Sequence, residues 1–211
     1  MGRAPDFGGL RIGFALTGSH CTLPEVLPQV RLLREAGAEV WPILSPSVST
    51  MKTRFGDPEE WREALREITG RAPLETIPEV EPLGPQKLLH ALVVAPCTGN
   101  TLARIAHAIT DTPVTMAVKS TLRNGRPVIL AISTNDGLGL NAPNWARLLA
   151  VKNIYFVPFG QDNPYEKPNS LVAHLDLLLP TLEQALRGKQ YQPILISWRE
   201  EASPARRRMG S

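Results

Sequence analysis

The sequence predicts an α/β protein in which helices cover both faces of a parallel sheet. Short apolar runs of strand length alternate with longer runs whose apolar residues recur at helical spacing. The strand runs end in small polar turns, as expected where a buried strand reaches the edge of a sheet. Of the 211 residues, 43% are hydrophobic and 20% are charged, which is typical of a globular chain with a real core. These observations indicate a doubly wound, three-layer fold.

The sequence of the first half of the chain predicts two strands, each followed by a helix. In chain order the elements are a strand at 10–16, a helix at 24–35, a strand at 40–44 and a helix at 58–68. Pro24 fits the first turn of its helix, and Gly37 fits the residue beyond its end. Asp57 is a typical helix N-cap, and Pro58 then occupies the first helical position.

The second half repeats this order after a proline-rich connection. Residues 71–86 are predicted to be a loop, followed by strands at 88–95, 127–132 and 154–157 and by helices at 101–109, 114–122, 146–151 and 171–186. Gly188 ends the last helix. Between the last strand and the last helix, residues 156–170 predict a rigid loop that ends at a helix cap, either Asn169 or Ser170.

The pattern predicts one Rossmann-like domain over residues 1–190 and a partly flexible C-terminal extension over residues 191–211. The formal net charge of +3 is too small to indicate nucleic-acid binding, and the basic run at 206–208 fits a solvated tail. Two cysteines exclude a disulfide scaffold and favour a reduced, cytoplasmic location. No apolar run approaches the ~20 residues of a membrane span, and we expect no signal peptide.

Four polar turns follow four of the predicted strands. They are Thr17-Gly18-Ser19, Ser45-Pro46-Ser47, Thr98-Gly99-Asn100-Thr101 and Ser133-Thr134-Asn135. Ligands of open α/β sheets bind at the carboxyl ends of the strands. Hydroxyls, amides and the free N–H groups of helix N-termini favour an anion there. Together the turns predict a cradle for a phosphate, although each turn alone is also typical of ordinary turns and caps.

The sequence excludes the usual nucleotide motifs. No G-x-G-x-x-G follows the first strand, and the glycines after Asn135 are accompanied by no Walker lysine. Hydrolysis of nucleoside triphosphates and self-contained NAD binding are therefore not expected. No group of His, Cys, Asp and Glu has zinc spacing, so no metal site is predicted.

Few ionisable residues are candidates for chemistry. His20, in the first turn, is interpreted either as an exposed cap or as a functional side chain. His90 is interpreted as structural, His107 as a surface or packing residue, and His174 as the residue that opens the last helix. Cys97 lies near a helix N-terminus, a setting that can lower a thiol pKa, although a small buried cysteine is the simpler interpretation.

The predicted loop at 156–170 is dense in Pro, Gly, Asn and charged residues. It is interpreted either as a rigid connection or as the lining of a pocket or subunit contact. In the second case Gln161 and Lys167 are available to an anionic substrate.

The third turn contains a family motif. The run Pro96-Cys97-Thr98-Gly99-Asn100-Thr101 resembles the Pro-x-Ser/Thr-x-Asn-Thr motif of the flavin-binding flavoprotein superfamily, which includes cysteine-peptide decarboxylases and flavin prenyltransferases. Gly18 and Ser19 resemble its first phosphate-binding turn. Ala108-Ile109-Thr110-Asp111-Thr112 resembles its Gly-x-x-Asp-x stretch, with Ala in place of Gly. The resemblance covers most of residues 10–188 and implies a flavoprotein-type fold that binds flavin mononucleotide (FMN).

A narrower resemblance rests on three segments. Residues 133–139, 152–162 and 167–171 are similar to those of the dipicolinate synthase B-subunit family. This resemblance implies that the chain acts with a companion, the A subunit, in the NADP-dependent oxidation of dihydrodipicolinate to dipicolinate during sporulation. It also implies that the companion holds NADP and that the chain forms homo-oligomers.

The resemblance further implies a set of cofactor-binding residues, but it assigns no catalytic residue. The set is Gly18, Ser19, Ser45, Thr98, Gly99, Asn100, Thr101, Thr134 and Asn135. Within it, the residues expected to hold phosphate and ribitol are Ser19, Ser45, Thr98 and Asn100, and those expected toward the ring are Thr134 and Asn135. The candidate cations for the dicarboxylate substrate are Lys119, Arg123 and Lys167.

Two alternatives stay open from the sequence. The chain could be a non-catalytic flavin-binding or scaffold partner of the A subunit, or an independent FMN-dependent decarboxylase or prenyltransferase. Decarboxylases of the superfamily use a His before the third strand. No His occurs here between Trp41 and Leu89, which argues against the decarboxylase form.

Overall fold

The computed structural model describes residues 5–197, which form a seven-stranded sheet between helices. The strands are β1 (Arg11–Leu16), β2 (Glu39–Leu44), β3 (Ala91–Cys97), β4 (Val128–Thr134), β5 (Ile154–Phe156), β6 (Phe159–Asn163) and β7 (Lys167–Ala173). The helices are α1 (Leu23–Glu35), α2 (Pro46–Thr50), α3 (Pro58–Thr69), α4 (Ile77–Val80), α5 (Gly99–Ala106), α6 (Pro113–Arg123), α7 (Ala142–Leu149) and α8 (Leu178–Leu186). Single 3-10 turns lie at His20–Thr22, Glu81–Leu83 and Leu175–Leu177.

Five parallel strands form the centre of the sheet, in the order β2-β1-β3-β4 with β5 beside β4. Ile12 of β1 pairs with Val40 of β2 and with Ala91 of β3, and Val93 of β3 pairs with Ile129 of β4. Strand β3 is buried along its whole length, as expected of a strand that helices cover on both faces. The predicted fold class is confirmed.

The ends of two helices lie where their capping residues in the sequence predict them. Asp57 caps α3 by accepting the Glu59 N–H at 3.1 Å, and the Glu60 carboxylate accepts the Asp57 N–H at 3.2 Å. This reciprocal pair is a capping box. Beyond α1, Gly37 has a φ of +92°, a conformation that favours glycine and ends the helix.

The prediction for residues 156–170 and for the start of the last helix was wrong. The chain there forms an antiparallel hairpin of β6 and β7, and β7 also pairs antiparallel with β4, so the sheet is mixed. Asn163 shapes the hairpin turn, because its Oδ1 accepts the N–H groups of Tyr165 and Glu166 at 3.1 Å each. Residues 169–171, expected to cap and open the last helix, instead belong to β7.

Three smaller predictions also need correction. The turn at 45–47 is the start of helix α2, and the predicted loop at 71–86 contains α4 and a 3-10 turn. Helix α4 forms because Thr76 and Glu79 make a capping box, a signal that the proline content obscured. His174 does not open the last helix but precedes the 3-10 turn before it.

The described part of the C-terminal extension packs on the sheet. The Phe159 N–H donates to Ile194 O at 3.0 Å, and the Ile196 N–H donates to Phe159 O at 2.9 Å. The basic run at 206–208 lies outside the described residues, and the division between domain and extension stays a prediction. None of the helices between residues 5 and 197 is long and apolar enough to cross a membrane.

Candidate functional site

The carboxyl ends of β1, β3 and β4 meet at one edge of the sheet and line a cavity of about 980 Å³. Strands β1 and β3 are neighbours although β2 lies between them in sequence, so the winding direction changes at this edge. Ligands of open α/β sheets bind at such a point. The hairpin of β6 and β7 and the segment between α2 and α3 complete the cavity walls.

Three hydroxyls form a triangle between the ends of β1 and β4. Ser19 Oγ lies 2.9 Å from Ser133 Oγ and 3.0 Å from Thr22 Oγ1. Thr22 Oγ1 lies 3.1 Å from Ser133 Oγ. A hydroxyl can donate one hydrogen bond and accept two, and its proton rotates to suit its partner. The hydroxyl triangle can therefore turn donors toward an oxygen-rich ligand in the cavity.

The first residues of α5 are fixed from the end of β1. Thr17 Oγ1 donates to Pro96 O at 2.6 Å and accepts the Thr98 N–H at 3.0 Å. Thr98 then caps α5, because its Oγ1 accepts the Thr101 N–H at 3.4 Å. This buried clamp holds the third turn against the first turn.

Gly18 and Gly99 lie where neighbouring side chains leave no room for a Cβ. A Cβ on Gly18 would come within 2.5 Å of Ser47 Oγ. A Cβ on Gly99 would come within 2.5 Å of Asn141 Nδ2 and 2.7 Å of Asp136 Oδ1. Two of the predicted site glycines therefore permit close packing between strand-end turns.

A carboxylate lies beside Gly99, the first residue of α5. Asp136 lies beside Gly99, accepts a short hydrogen bond from the Thr134 hydroxyl, and accepts Asn141 Nδ2 at 2.7 Å. A negative charge at this end of a helix is favourable, because the first N–H groups and the helix dipole are positive there. Asp136 was not among the predicted site residues, although it follows Thr134-Asn135 directly in the sequence.

Seven of the nine predicted cofactor-binding residues line the cavity. They are Gly18, Ser19, Thr98, Gly99, Asn100, Thr134 and Asn135. Ser45 and Thr101 do not line it and are buried behind the wall. Ser45 Oγ bonds Ser47 Oγ at 2.9 Å, and Thr101 Oγ1 accepts from Thr98 Oγ1 at 3.1 Å. Their part in cofactor binding stays a prediction, as does that of the other seven.

Among the histidines in residues 5–197, His20 lies in the cavity wall. Its Nδ1 is enclosed and has no hydrogen-bond partner among the described residues. Burial lowers the pKa of His20, so the neutral imidazole is favoured. His90 lies before β3, where its Nδ1 accepts the Arg11 N–H at 2.9 Å, and His107 is exposed at the end of α5.

The two cysteines differ in environment. Cys97 is fully buried, and burial raises the pKa of its thiol to about 12, so the activation by a helix N-terminus that the sequence left open does not occur. Cys21 is exposed and lines the cavity. Within residues 5–197, no group of three or more His, Cys, Asp and Glu side chains could hold a metal.

The predicted cations for a dicarboxylate separate in the structure. Lys119 and Arg123 are exposed on α6 and do not line the cavity. Lys167 does line it, but its Nζ lies 2.7 Å from Asp162 Oδ2, and that hydrogen bond and charge raise the Lys167 pKa. Arg54, which sequence reasoning missed, also lines the cavity.

The fold is that of a flavoprotein-type α/β protein, with a cavity at the carboxyl ends of a parallel sheet. The profile of the Flavoprotein family matches residues 5–169. The chain is 53% identical over 188 residues to the B subunit of dipicolinate synthase from Bacillus subtilis (strain 168), a match that covers 89% of this chain and 94% of that protein. The chain therefore belongs to the Flavoprotein family, in its dipicolinate synthase B-subunit group.

Solved structures agree with this placement. The crystal structure of the dipicolinate synthase B subunit from Bacillus halodurans is 53% identical, with a TM-score of 0.84, and the match covers 90% of this chain and 98% of that one. DmrB from Burkholderia xenovorans, described in complex with FMN as a cubic protein cage for redox transfer, is 21% identical with a TM-score of 0.63, covering 84% and 96%. The second likeness shows a shared fold.

Proposed function

We propose that this chain is the B subunit of a dipicolinate synthase. With a dinucleotide-binding partner, the A subunit, it oxidises dihydrodipicolinate to dipicolinate in the cytoplasm of a sporulating mother cell, and NADP on the partner is reduced. The 53% identity to the Bacillus subtilis protein supports this role. The lack of a G-x-G-x-x-G loop after β1 agrees with NADP on the partner. The observation that carries the proposal is the hydroxyl-rich cavity at the strand ends.

We further propose that this cavity holds FMN. Gly18 and Gly99 allow close approach of the backbone, and the hydroxyl triangle of Ser19, Thr22 and Ser133 supplies donors for a phosphate. Bound FMN supplies the capacity to accept or return two electrons. The DmrB fold likeness supports the choice of flavin.

We assign the phosphate to the hydroxyl triangle because a carboxylate lies beside the N-terminal residue of α5. The Asp136 carboxylate lies beside Gly99, and two like charges at one site repel. This placement keeps Ser19 as a phosphate ligand. It moves Thr98 and Asn100 toward the uncharged part of the cofactor.

His20 supplies a group for the proton of the reaction. Oxidation of dihydrodipicolinate removes a hydride, which NADP receives, and a proton. A neutral imidazole can accept that proton, and burial lowers the pKa of His20, which keeps the ring in its neutral form.

A flavin-free scaffold for the A subunit is the second candidate function. The observation that favours it is Asp136, whose carboxylate lies beside the first residue of α5, near the helix N-terminus that can bind an anion. The scaffold requires no cofactor in the cavity, so the two candidates differ in a direct binding measurement.

Visible absorption of the purified full chain tests the cofactor, before and after addition of FMN and desalting. We expect retained flavin absorption. The double variant Ser19→Ala, Ser133→Ala should bind FMN at least about tenfold more weakly, because two donors to a charged phosphate are lost. Thr50→Ala, which removes an exposed hydroxyl on α2 outside the cavity, is the matched control.

A chain that retains no FMN under these conditions would overturn the cofactor proposal and favour the scaffold. The synthase role is tested separately, by mixing the chain with the A subunit, NADP and dihydrodipicolinate and measuring dipicolinate. If the mixture forms no more dipicolinate than the partner forms without this chain, the synthase proposal is wrong.

A further inference from the structure

The segment between α2 and α3 carries a tight turn into the cavity wall. The Thr53 N–H donates to Gly56 O at 3.1 Å, and the Gly56 N–H donates to Thr53 O at 3.2 Å. The Phe55 N–H also donates to Thr53 Oγ1 at 3.2 Å. Arg54 and Phe55 therefore lie at the tip of a closed four-residue turn, and both line the cavity. We call these two residues the cavity tip.

Packing on α3 holds the turn in place. Gly56 has a φ of +154°, and a Cβ there would lie 2.4 Å from the ring of Trp61. Helix α3 is itself tied back to the end of α2, because Arg62 donates to Ser49 O at 2.6 Å. Arg62 also makes two hydrogen bonds to Glu75, at 2.6 and 2.9 Å. The cavity tip is therefore presented from an anchored support rather than from a free loop.

The charges of the cavity leave Arg54 without an anionic partner. Among the described residues, three carboxylates line the cavity. Asp162 is paired with Lys167 at 2.7 Å, and Asp136 is bonded to neutral groups. Glu25 makes no ion pair with Arg54. Within residues 5–197, the Arg54 guanidinium makes no ion pair. The guanidinium instead lies over the ring of Phe55, whose centroid is 4.7 Å from Arg54 Cζ. An unpaired guanidinium at a cavity wall is a ready site for an anion.

We propose that the cavity tip recognises a carboxylate of a planar ring substrate. A guanidinium presents a planar fork of donors that matches a carboxylate with two parallel hydrogen bonds. Phe55 is 38% exposed, and its ring packs against the guanidinium, so the tip presents apolar surface together with the fork. A ring dicarboxylate such as dipicolinate combines the two features. This inference rests on the proposed function, which supplies the substrate class.

A phosphate is the other anion that a guanidinium binds well. The phosphate of FMN is already provided for by the hydroxyl triangle on the ends of β1 and β4, whereas both residues of the cavity tip are exposed. A substrate that enters from solution can therefore reach the tip directly. We therefore assign the tip to the substrate carboxylate rather than to the cofactor phosphate.

Calorimetric titration of the full chain with dipicolinate tests the assignment, because the product is stable and carries both carboxylates. We expect Arg54→Gln to weaken dipicolinate binding by about 10- to 100-fold, the loss of a charge-assisted bidentate contact. Lys52→Gln is the matched control, since it removes the same charge from the same segment. Lys52 lies outside the cavity, where it is exposed and its Nζ is 3.2 Å from Asp57 Oδ2. The dipicolinate binding constant of Lys52→Gln should therefore stay within about twofold of that of the unaltered chain.

Three results would overturn the inference. They are no dipicolinate binding by the unaltered chain, equal binding by Arg54→Gln, and weaker FMN binding by that variant with dipicolinate binding unchanged. Arg54→Lys keeps the charge but loses the fork of donors. Its affinity for dipicolinate should lie between those of the unaltered chain and Arg54→Gln. Circular dichroism of each variant checks the fold.

Dipicolinate formation with the A subunit is measured on the same proteins. Formation without dependence on Arg54 would leave the synthase role intact and remove only the inference. If dipicolinate binding depends on Arg54 but the chain and the A subunit form no dipicolinate, the inference about the tip stands and the synthase role is wrong.

Discussion

At the scale of single residues, the imidazole of His90 joins β3 to β1 only while its Nδ1 is unprotonated. That atom accepts the Arg11 N–H at 2.9 Å, and a protonated ring has no lone pair there. Burial lowers the His90 pKa, and the positive charges of Arg11 and Arg126 lower it further. The folded protein therefore binds this proton less tightly than the unfolded chain does.

The free energy of unfolding should consequently fall as the pH decreases through the ordinary His pKa of about 6.5. The contribution of His90 to the free energy of unfolding is fully present above that pH. It is lost as the pH falls further, because the unfolded chain takes up the proton before the folded protein does. Urea titrations at about pH 7.5 and about pH 5.5 measure the loss. His90→Asn keeps an acceptor for the Arg11 N–H and removes the titration, so its loss should be smaller. An equal loss in the variant would contradict the assignment to His90.

Sequence reasoning about single residues succeeded where a residue type has one common use. Asp57 is an N-cap in the structure, as predicted. It failed to decide the state of Cys97, because the position of a cysteine near a helix N-terminus is visible in the sequence but its burial is not. Burial outweighs the helix end and raises the Cys97 pKa to about 12.

At the scale of elements, the end of α5 depends on a residue that is poorly suited to its conformation. The helix ends at Ala106, and Ala108 follows with a φ of +57°. The left-handed region costs an L-residue about 1 kcal/mol or more, and glycine pays little there. The resemblance to the superfamily places Gly at this position, which agrees with the geometry.

Ala108→Gly should therefore raise the free energy of unfolding by about 0.5–1 kcal/mol, after the greater freedom of glycine in the unfolded chain is subtracted. Ala103→Gly, the same substitution within α5, should lower it by about 1 kcal/mol. Urea denaturation of the two variants and the parent chain measures both. A loss of stability in Ala108→Gly would show that the backbone there differs from the described conformation.

The predicted elements were confirmed where the spacing of apolar residues agreed with the capping residues at the helix ends, as for α1 and α3. They failed at β6 and β7, where the apolar residues 171–173 fit the first turn of a helix equally well. These residues form a strand because β7 pairs with β4, which is distant in sequence, and with β6, which directly precedes it. Local periodicity contains no information about that pairing.

At the scale of the whole molecule, the parallel sheet explains why part of the site was predictable. Parallel strands end at the same edge, so the turns after β1, β3 and β4 had to meet once the strands were identified. Arg54 and Phe55 were not predictable in this way. They reach the cavity because Gly56 packs on Trp61 of α3, a contact set by tertiary structure.

The surface of the molecule leads to a prediction about assembly. On the loop between β4 and α7, Leu140 is 88% exposed and Leu138 is 44% exposed. Exposed apolar side chains of this size that lie together are typical of interaction sites, and burial of one leucine contributes about 1.5–3 kcal/mol. The same loop begins at Asn135 and Asp136, which line the cavity, so a contact there would place a second copy beside the cavity.

We expect the full chain to form a homo-oligomer through this loop. Light scattering after size-exclusion chromatography should give a mass that is a multiple of 23.1 kDa. Leu140→Asp should shift the mass toward 23.1 kDa, because a charge would be buried at each contact. Leu195→Asp, at another exposed leucine, should keep the parent mass. A monomeric parent chain would contradict the assembly, and an unchanged mass in Leu140→Asp would place the contact elsewhere on the surface.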